Sequence, residues 1–252
     1  MISERKARIL VVTNFVLIGL VVVLVAQIAI TQATSASDKT DFKEINAERI
    51  NIKNANGKTV IAIANKEKIA RPRVEGKEYP VEVSEGRKYM AGMIFFNEDG
   101  DEMGGLVFNS FRQKNGRIAG IGHLSLDRFR DNQVISLQHN ENRRGVKTGL
   151  TFYDRPGNGN FKKSLDLLEE ARSKSTTPKR LDEIKKTFGE WSKTKALGRE
   201  RVFIGSKNEI PQLVLKDDMG KTRFKVYVDE KNEARLQFLN DSGKVISEFP
   251  AK

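Results

Sequence analysis

Three residues that could form a catalytic triad alternate along one stretch of the chain: His123, Ser125 and Asp127. A hydroxyl nucleophile needs a base within hydrogen-bond reach and a carboxylate that orients this base. On a β-strand these residues would share one face, with about 7 Å from each to the next. Because that spacing is too long for direct hydrogen bonds, the stretch predicts a strand with polar side chains and not a nucleophilic site.

An acidic cluster at residues 97–102 (NEDGDE) is the best match to a metal site. Carboxylates at alternate positions can surround Ca²⁺, but the calcium loop of an EF-hand needs Gly at its sixth position and Glu at its twelfth. Counted from Asn97, those positions hold Glu102 and Phe108. A solvated hairpin turn is the favoured interpretation.

The composition excludes several classes of chemistry. The chain has no cysteine, which excludes thiolate metal sites, iron–sulfur clusters and cysteine nucleophiles. Its only two histidines, His123 and His139, also argue against a histidine-rich metal site. No phosphate-binding loop, zinc-protease motif or nucleophile elbow is present. The sequence therefore predicts no catalytic, metal or cofactor-binding residues, and no cofactor.

An uncharged run at residues 9–30 predicts a transmembrane helix. A helix of this length spans about 33 Å, which matches a hydrocarbon core of about 30 Å. Arg5, Lys6 and Arg8 precede the run, so residues 1–8 are expected in the cytoplasm and the C-terminal side outside. A cleaved signal peptide is the alternative, since small residues at 33–36 could form a cleavage site, but the apolar run is longer than such peptides require.

The remaining chain predicts a linker at residues 31–40 and an extracytoplasmic domain at residues 41–252. Short alternating apolar runs there surround turns that contain Gly57, Gly100, Gly220 and Gly243, which is typical of antiparallel β-hairpins. Further strands are expected near residues 120–126, 133–139 and 149–153. The predicted fold is mainly β, an antiparallel meander of hairpins, with one transmembrane helix before it.

A short two-helix insert, about residues 162–197, is expected to interrupt the strands. Thr177 and Pro178 form a helix start signal, and Leu181, Ile184, Phe188 and Trp191 recur at helical spacing, which predicts burial against the sheet. Basic side chains of this helix form a candidate contact surface: Lys179, Arg180, Lys185, Lys186 and Lys193.

The net charge of +12 favours an acidic partner. For a domain outside the cytoplasm an anionic envelope polymer is favoured over nucleic acid, and a basic surface without a partner is the alternative. The alternation of aromatic and basic residues at 224–227 is interpreted as one buried and one wet face of a strand, and not as an RNA-binding surface.

Several blocks of the sequence resemble an uncharacterised family of small bacterial proteins. These blocks are MIFFNEDGDEMGGLVF (93–108), GHLSLD (122–127), DNQV (131–134) and GLTFYDRP (149–156). The resemblance covers about residues 45–156 and extends more loosely into the terminal hairpins. It implies a bacterial origin, an N-terminal hydrophobic segment and one continuous β-rich unit, and it implies no activity.

Two functional hypotheses follow. The first is a non-catalytic binding or scaffolding module, held in the bacterial cytoplasmic membrane by residues 9–30, whose partner is an envelope protein, an anionic polymer or another copy of the chain. The second is an envelope enzyme, such as a glycan hydrolase, whose carboxylates come together only in the fold.

Overall fold

The computed structural model of the protein describes residues 13–27, 41–84 and 86–250. The chain divides into two units, Met1–Asn46 and Ala47–Lys252. In the first unit, residues 13–27 form helix α1 with exposed side chains.

Within the described part of the chain, no helix combines the length and the apolar character that a membrane span requires. The predicted anchor at 9–30 includes residues 9–12 and 28–30, which lie outside the described residues. The predicted cytoplasmic segment 1–8 and linker 31–40 also lie outside them.

The second unit is built on one large antiparallel sheet of twelve strands. The first six strands in sheet order are β1 (Arg49–Lys53), β2 (Thr59–Ala64), β5 (Ala91–Phe96), β6 (Glu102–Arg112), β7 (Ile118–Asp127) and β8 (Gln133–Asn142). They are followed by β9 (Gly145–Asp154), β10 (Arg199–Lys207), β11 (Ile210–Lys216), β12 (Thr222–Val228), β13 (Ala234–Leu239) and β14 (Val245–Phe249). The prediction of a mainly β antiparallel meander is confirmed.

Two segments leave the meander and return to it. The first, between β2 and β5, contains the hairpin of β3 (Arg73–Val74) and β4 (Lys77–Glu78) and two 3₁₀ turns, Val81–Val83 and Arg87–Tyr89. The second, between β9 and β10, contains helices α2 (Asn160–Arg172) and α3 (Pro178–Ser192). Thr177 caps α3 by accepting a hydrogen bond from the Arg180 amide, and Pro178 occupies its first turn, as the start signal predicts.

Seven turns of the described sheet share one hydrogen-bond pattern. In each, the first residue's amide donates to the fifth residue's carbonyl, and the fourth residue's amide donates to the first residue's carbonyl. The turns are residues 54–58, 97–101, 113–117, 128–132, 217–221, 229–233 and 240–244. In most of them the fourth residue is a glycine with positive φ, which is the conformation that a hairpin with a bulge needs.

Each confirmed hairpin follows from this local chemistry, whereas β10 was not predicted. It joins β11 through the two-residue loop Asn208–Glu209, in which both residues have positive φ (50° and 69°). Glycine normally marks such a loop. Because Glu209 stands there instead, the sequence pattern does not reveal the turn.

One face of the sheet is covered. A row of paired residues on this face is buried across eight strands: Ala62, Ile94, Gly105, Ser125, Ser136, Thr151, Phe203 and Val214. Ile69 and Ala70 from the first connecting segment complete one buried cluster with Ala62 and Ile94. This face therefore holds the apolar core of the domain.

Helix α2 packs on the β3–β4 hairpin, where Leu165 joins a cluster with Val74, Tyr79 and Val83. The Tyr79 hydroxyl donates to Asp166 Oδ1 of α2 at 2.9 Å. Helix α3 packs chiefly on α2. Ile184 of the α3 stripe is buried, and Leu181, Phe188 and Trp191 are partly buried. That this stripe packs against the sheet stays a prediction.

Candidate functional site

The opposite face of the sheet carries an unbroken apolar row that crosses all twelve strands. Its residues pair directly from strand to strand: Ile50, Ile63, Met93, Leu106, Leu124, Leu137, Leu150, Ile204, Leu213, Val226, Leu236 and Phe249. None of these side chains is buried. An apolar row of this length on an exposed face is the main candidate for a functional surface.

A second row runs beside the first on the same face. It consists of Ile52, Ile61, Phe95, Gly104, Leu126, Ile135, Phe152, Val202, Leu215, Phe224, Phe238 and Ser247. No apolar side chain of this row is buried, and neither row contains a charged residue. We call the two rows together the open face.

The strand that contains residues 224–227 was expected to have one buried and one wet face. In the structure every residue of β12 (Thr222–Val228) is partly buried. The structure places Phe224 and Val226 on the open face, while Lys225 and Tyr227 share the opposite face with the buried row. Alternation identifies the two sides of a strand, but it does not reveal which side other elements cover.

A polar cleft lies on the covered face, beneath the 3₁₀ turns. Its wall contains the ion pair of Arg87 and Glu102, in which Arg87 Nη1 donates to Glu102 Oε2 at 2.9 Å and Nη2 donates to Oε1. Both side chains are largely buried. This pair borders two adjoining spaces, one of about 460 Å³ and one of about 260 Å³.

His123 and Ser125 line the smaller space and Asp127 lines the larger one. Both ring nitrogens of His123 are buried and have no hydrogen-bond partner in the described part of the chain. Burial lowers the pKa of His123, which favours the neutral ring. Because no hydrogen bond joins His123 to Ser125 or Asp127, the three residues do not form a triad.

Asp127 is a partly buried carboxyl group in the wall of this cleft. Burial raises its pKa to about 7, and the negative charge of Glu102 adds to the effect, while Arg87 and Arg155 oppose it. Its Oδ1 atom is buried without a hydrogen-bond partner among the described residues. A carboxyl group that exchanges a proton near neutral pH next to a second carboxyl group could act as an acid or a base.

The acidic cluster at 97–102 forms a hairpin turn. Asn97 Oδ1 accepts from the Asp101 amide at 2.8 Å, which is the capping role of an Asn at the start of such a turn. Asp101 is buried, 1% exposed, and accepts hydrogen bonds from Arg130 Nε and the Gly76 amide. Its carboxylate therefore ties two loops to the sheet.

The five basic residues of the predicted contact surface differ in their surroundings. Arg180 pairs with Glu170 and Glu183, and Lys185 pairs with Asp182. Lys179, Lys186 and Lys193 are exposed, and no ion pair forms at them within the described residues. These three lysines are the part of the surface that remains available for an anionic partner.

Sequence reasoning missed the open face and the pair of Arg87 and Glu102. The alternating apolar residues of every strand are the signal for the open face, but only the strand register aligns them into rows. Arg87 and Glu102 carry no signal of their own, because they lie on different elements that meet only in the fold.

Comparison of the chain with protein-family models, with curated proteins and with solved structures finds no match.

Proposed function

We propose that the protein is a membrane-anchored, extracytoplasmic module that works by binding a partner through its open face. The observation that carries this proposal is the row from Ile50 to Phe249, in which every strand of the sheet presents an apolar, unburied side chain. A sheet with one covered face normally buries its second apolar face against another layer. In this chain that layer comes from a partner.

The anchor part of the proposal rests on the sequence. Residues 9–30 carry no charge, and Arg5, Lys6 and Arg8 precede them. A reporter that is active only outside the cytoplasm, fused after Lys252, should be active, and one that is active only inside should be silent. The opposite pattern would overturn the topology and would leave the binding role of the open face intact.

The binding role can be tested by placing a charge in the open face. Leu137, in the row's central part, is 53% exposed, and Phe111, beyond the cleft on the other face, is 49% exposed. We expect Leu137→Asp to shift the full-length protein, extracted from membranes in a mild detergent, from a complex to a single chain on a native gel. The matched control Phe111→Asp should migrate like wild type. A wild-type protein that already migrates as a single chain would contradict the proposal.

Three exposed lysines, Lys179 and Lys186 in α3 and Lys193 directly after it, give the module a second contact for anionic envelope polymers or lipid head groups. We expect Lys179→Glu, Lys186→Glu and Lys193→Glu together to reduce sedimentation of the protein with anionic vesicles several-fold at low salt. Lys221→Glu, Lys231→Glu and Lys244→Glu together are the control, since these three lysines lie in exposed turns and the change in charge is the same. Equal loss in both sets would mean that net charge, and not this surface, drives the binding.

The polar cleft favours a second function, hydrolysis of an envelope glycan. Asp127, with its pKa of about 7, would donate a proton, and Glu102, which pairs with Arg87, would assist as the second carboxylate. Full-length protein should then release soluble sugar from envelope glycan, and Asp127→Asn should abolish the release while Leu137→Asp does not. Absence of release by wild type would exclude this function.

A further inference from the structure

We infer that the partner of the open face is a second copy of this chain, and that two open faces pack together as a β-sandwich. This inference rests on the proposed binding role of the open face and adds the identity of its partner. Sheets that pack in this way lie about 10 Å apart, with their strands aligned to within about 30°.

The size of the open face matches a stable interface. Strands lie about 4.8 Å apart and alternate residues of a strand about 7 Å apart, so two rows on twelve strands cover roughly 50 by 14 Å. The flat area is on the order of 700 Å², before the relief of the side chains is added. Specific protein interfaces bury about 800 Å² on each partner, whereas apolar patches on monomers rarely exceed a few hundred Å².

The charge distribution allows two copies to approach. The chain carries a net charge of +12, which opposes most contacts between copies. Neither row of the open face contains a charged residue, so like charges do not meet when two open faces come together. An anionic polymer would find no basic side chain to bind in these two rows, because the basic residues of the protein lie outside them.

The shape of a twisted sheet favours a second sheet as the partner. The two spaces of the polar cleft are lined by residues outside the two rows and are not part of the open face. A sheet of twelve strands also accumulates a twist of about 20° from each strand to the next. A planar membrane surface would touch only a few of these strands, whereas a second copy has the same twist throughout.

Twofold symmetry places the middle of one open face on the middle of the other. The sheet order puts β8 and β9 at that middle, with Leu137 and Leu150 as their directly paired residues on the open face. The central residues of an interface contribute most of its binding free energy. Leu137 is therefore expected to contact the partner copy directly.

The test uses a photo-crosslinking amino acid, p-benzoylphenylalanine, in the full-length protein in cells. It replaces Leu137 in one experiment and Phe111 in the matched control, and two copies with different affinity tags are expressed together. We expect irradiation to give a crosslinked product that carries both tags from position 137 and none from position 111. Leu137→Asp should reduce co-purification of the two tags at least tenfold, and Phe111→Asp should leave it unchanged.

The captured species separates failure of this inference from failure of the proposed function. A label transferred from position 137 to a lipid or to another protein would overturn the pairing of copies, while binding through the open face would stand. No product from position 137 would overturn both. The crosslinking variant changes a single residue of the open face and introduces no charge. It therefore tests the pairing of two copies even if Leu137→Asp fails to fold.

Discussion

At the scale of single residues, charged side chains in this domain join different elements through hydrogen bonds and ion pairs. Asp166 of α2 shows how: burial alone would raise its pKa, but hydrogen bonds from Lys77, Lys162 and Tyr79 hold it at about 2. The carboxylate therefore remains ionised and keeps α2 on the β3–β4 hairpin. Asp127 is the opposite case, because its Oδ1 has no partner in the described chain and its pKa rises.

The tie between Tyr79 and Asp166 should be measurable. Tyr79 is fully buried, and Tyr79→Phe removes the hydrogen bond to Asp166 while it keeps the ring. We expect the free energy of unfolding to fall by about 1–2 kcal/mol. Tyr89→Phe, at a residue that is 55% exposed, is the control and should be neutral in urea titrations. Equal effects of both substitutions would show that the Asp166 contact adds no stability.

Asp127 should make the protein less stable as the pH rises. Its pKa is about 7 in the folded chain against 3.8 for the ordinary group, so between these values the folded state binds more protons than the unfolded state. The free energy of unfolding therefore falls as the pH rises from about 4 to 7.

Asp127→Asn cannot ionise and should remove this fall. We expect the free energy of unfolding of the variant to exceed that of wild type by on the order of 1–3 kcal/mol at pH 7.5. This is less than the full pKa shift implies, because part of the side chain reaches solvent. At pH 4 the two proteins should be nearly equal in chemical denaturation. A difference that is the same at both pH values would mean that Asp127 does not titrate as described.

At the scale of elements, the turns were predictable and the layers were not. The hairpin turns at Gly57, Gly220 and Gly243 carry their own signal, because a positive φ and an Asn or Asp cap depend on a few adjacent residues. The face of the sheet that α2 covers, and the meeting of Arg87 with Glu102, depend on residues far apart in sequence. Local patterns contain no information about such contacts, so neither the open face nor the cleft could be predicted.

The turn signal can be tested at a glycine with free space around it. Gly243 has φ of +78° and no atom within 4 Å of an added Cβ, so Gly243→Ala changes only the backbone preference. We expect a loss of about 1 kcal/mol. Gly122, within β7, has the same free space without a positive φ, and Gly122→Ala should be neutral or stabilising. Thermal unfolding of both variants gives the comparison, and equal melting temperatures would contradict the assigned turn.

At the scale of the whole molecule, the burial of the sheet's covered face differs from one part of the sheet to another. Strands β7, β8 and β9 each contain a buried residue of the covered row, whereas no residue of β12, β13 or β14 is buried. Packing supplies most of the protection of a strand against local opening. The carboxyl-terminal end of the sheet is therefore its less stable part.

Native-state hydrogen exchange should follow this gradient. We expect backbone amides of β12–β14 to exchange at least tenfold faster than those of β7–β9, with the edge strand β14 fastest. Mass spectrometry of proteolytic peptides resolves the two groups, and peptides from β10 and β11 should be intermediate. Uniform exchange across the sheet would mean that it opens only as a whole.

The order of the strands has a consequence for how the chain folds. In the twelve-stranded sheet, each strand pairs with the strands of the sheet that come directly before and after it along the chain. A long connection separates paired strands in two places, between β2 and β5 and between β9 and β10. Most pairings therefore close short loops, which keeps contact order low for an all-β domain and speeds folding. Each hairpin can form as soon as its residues leave the ribosome, and the sheet can grow from its amino-terminal edge while the rest of the chain is still being made.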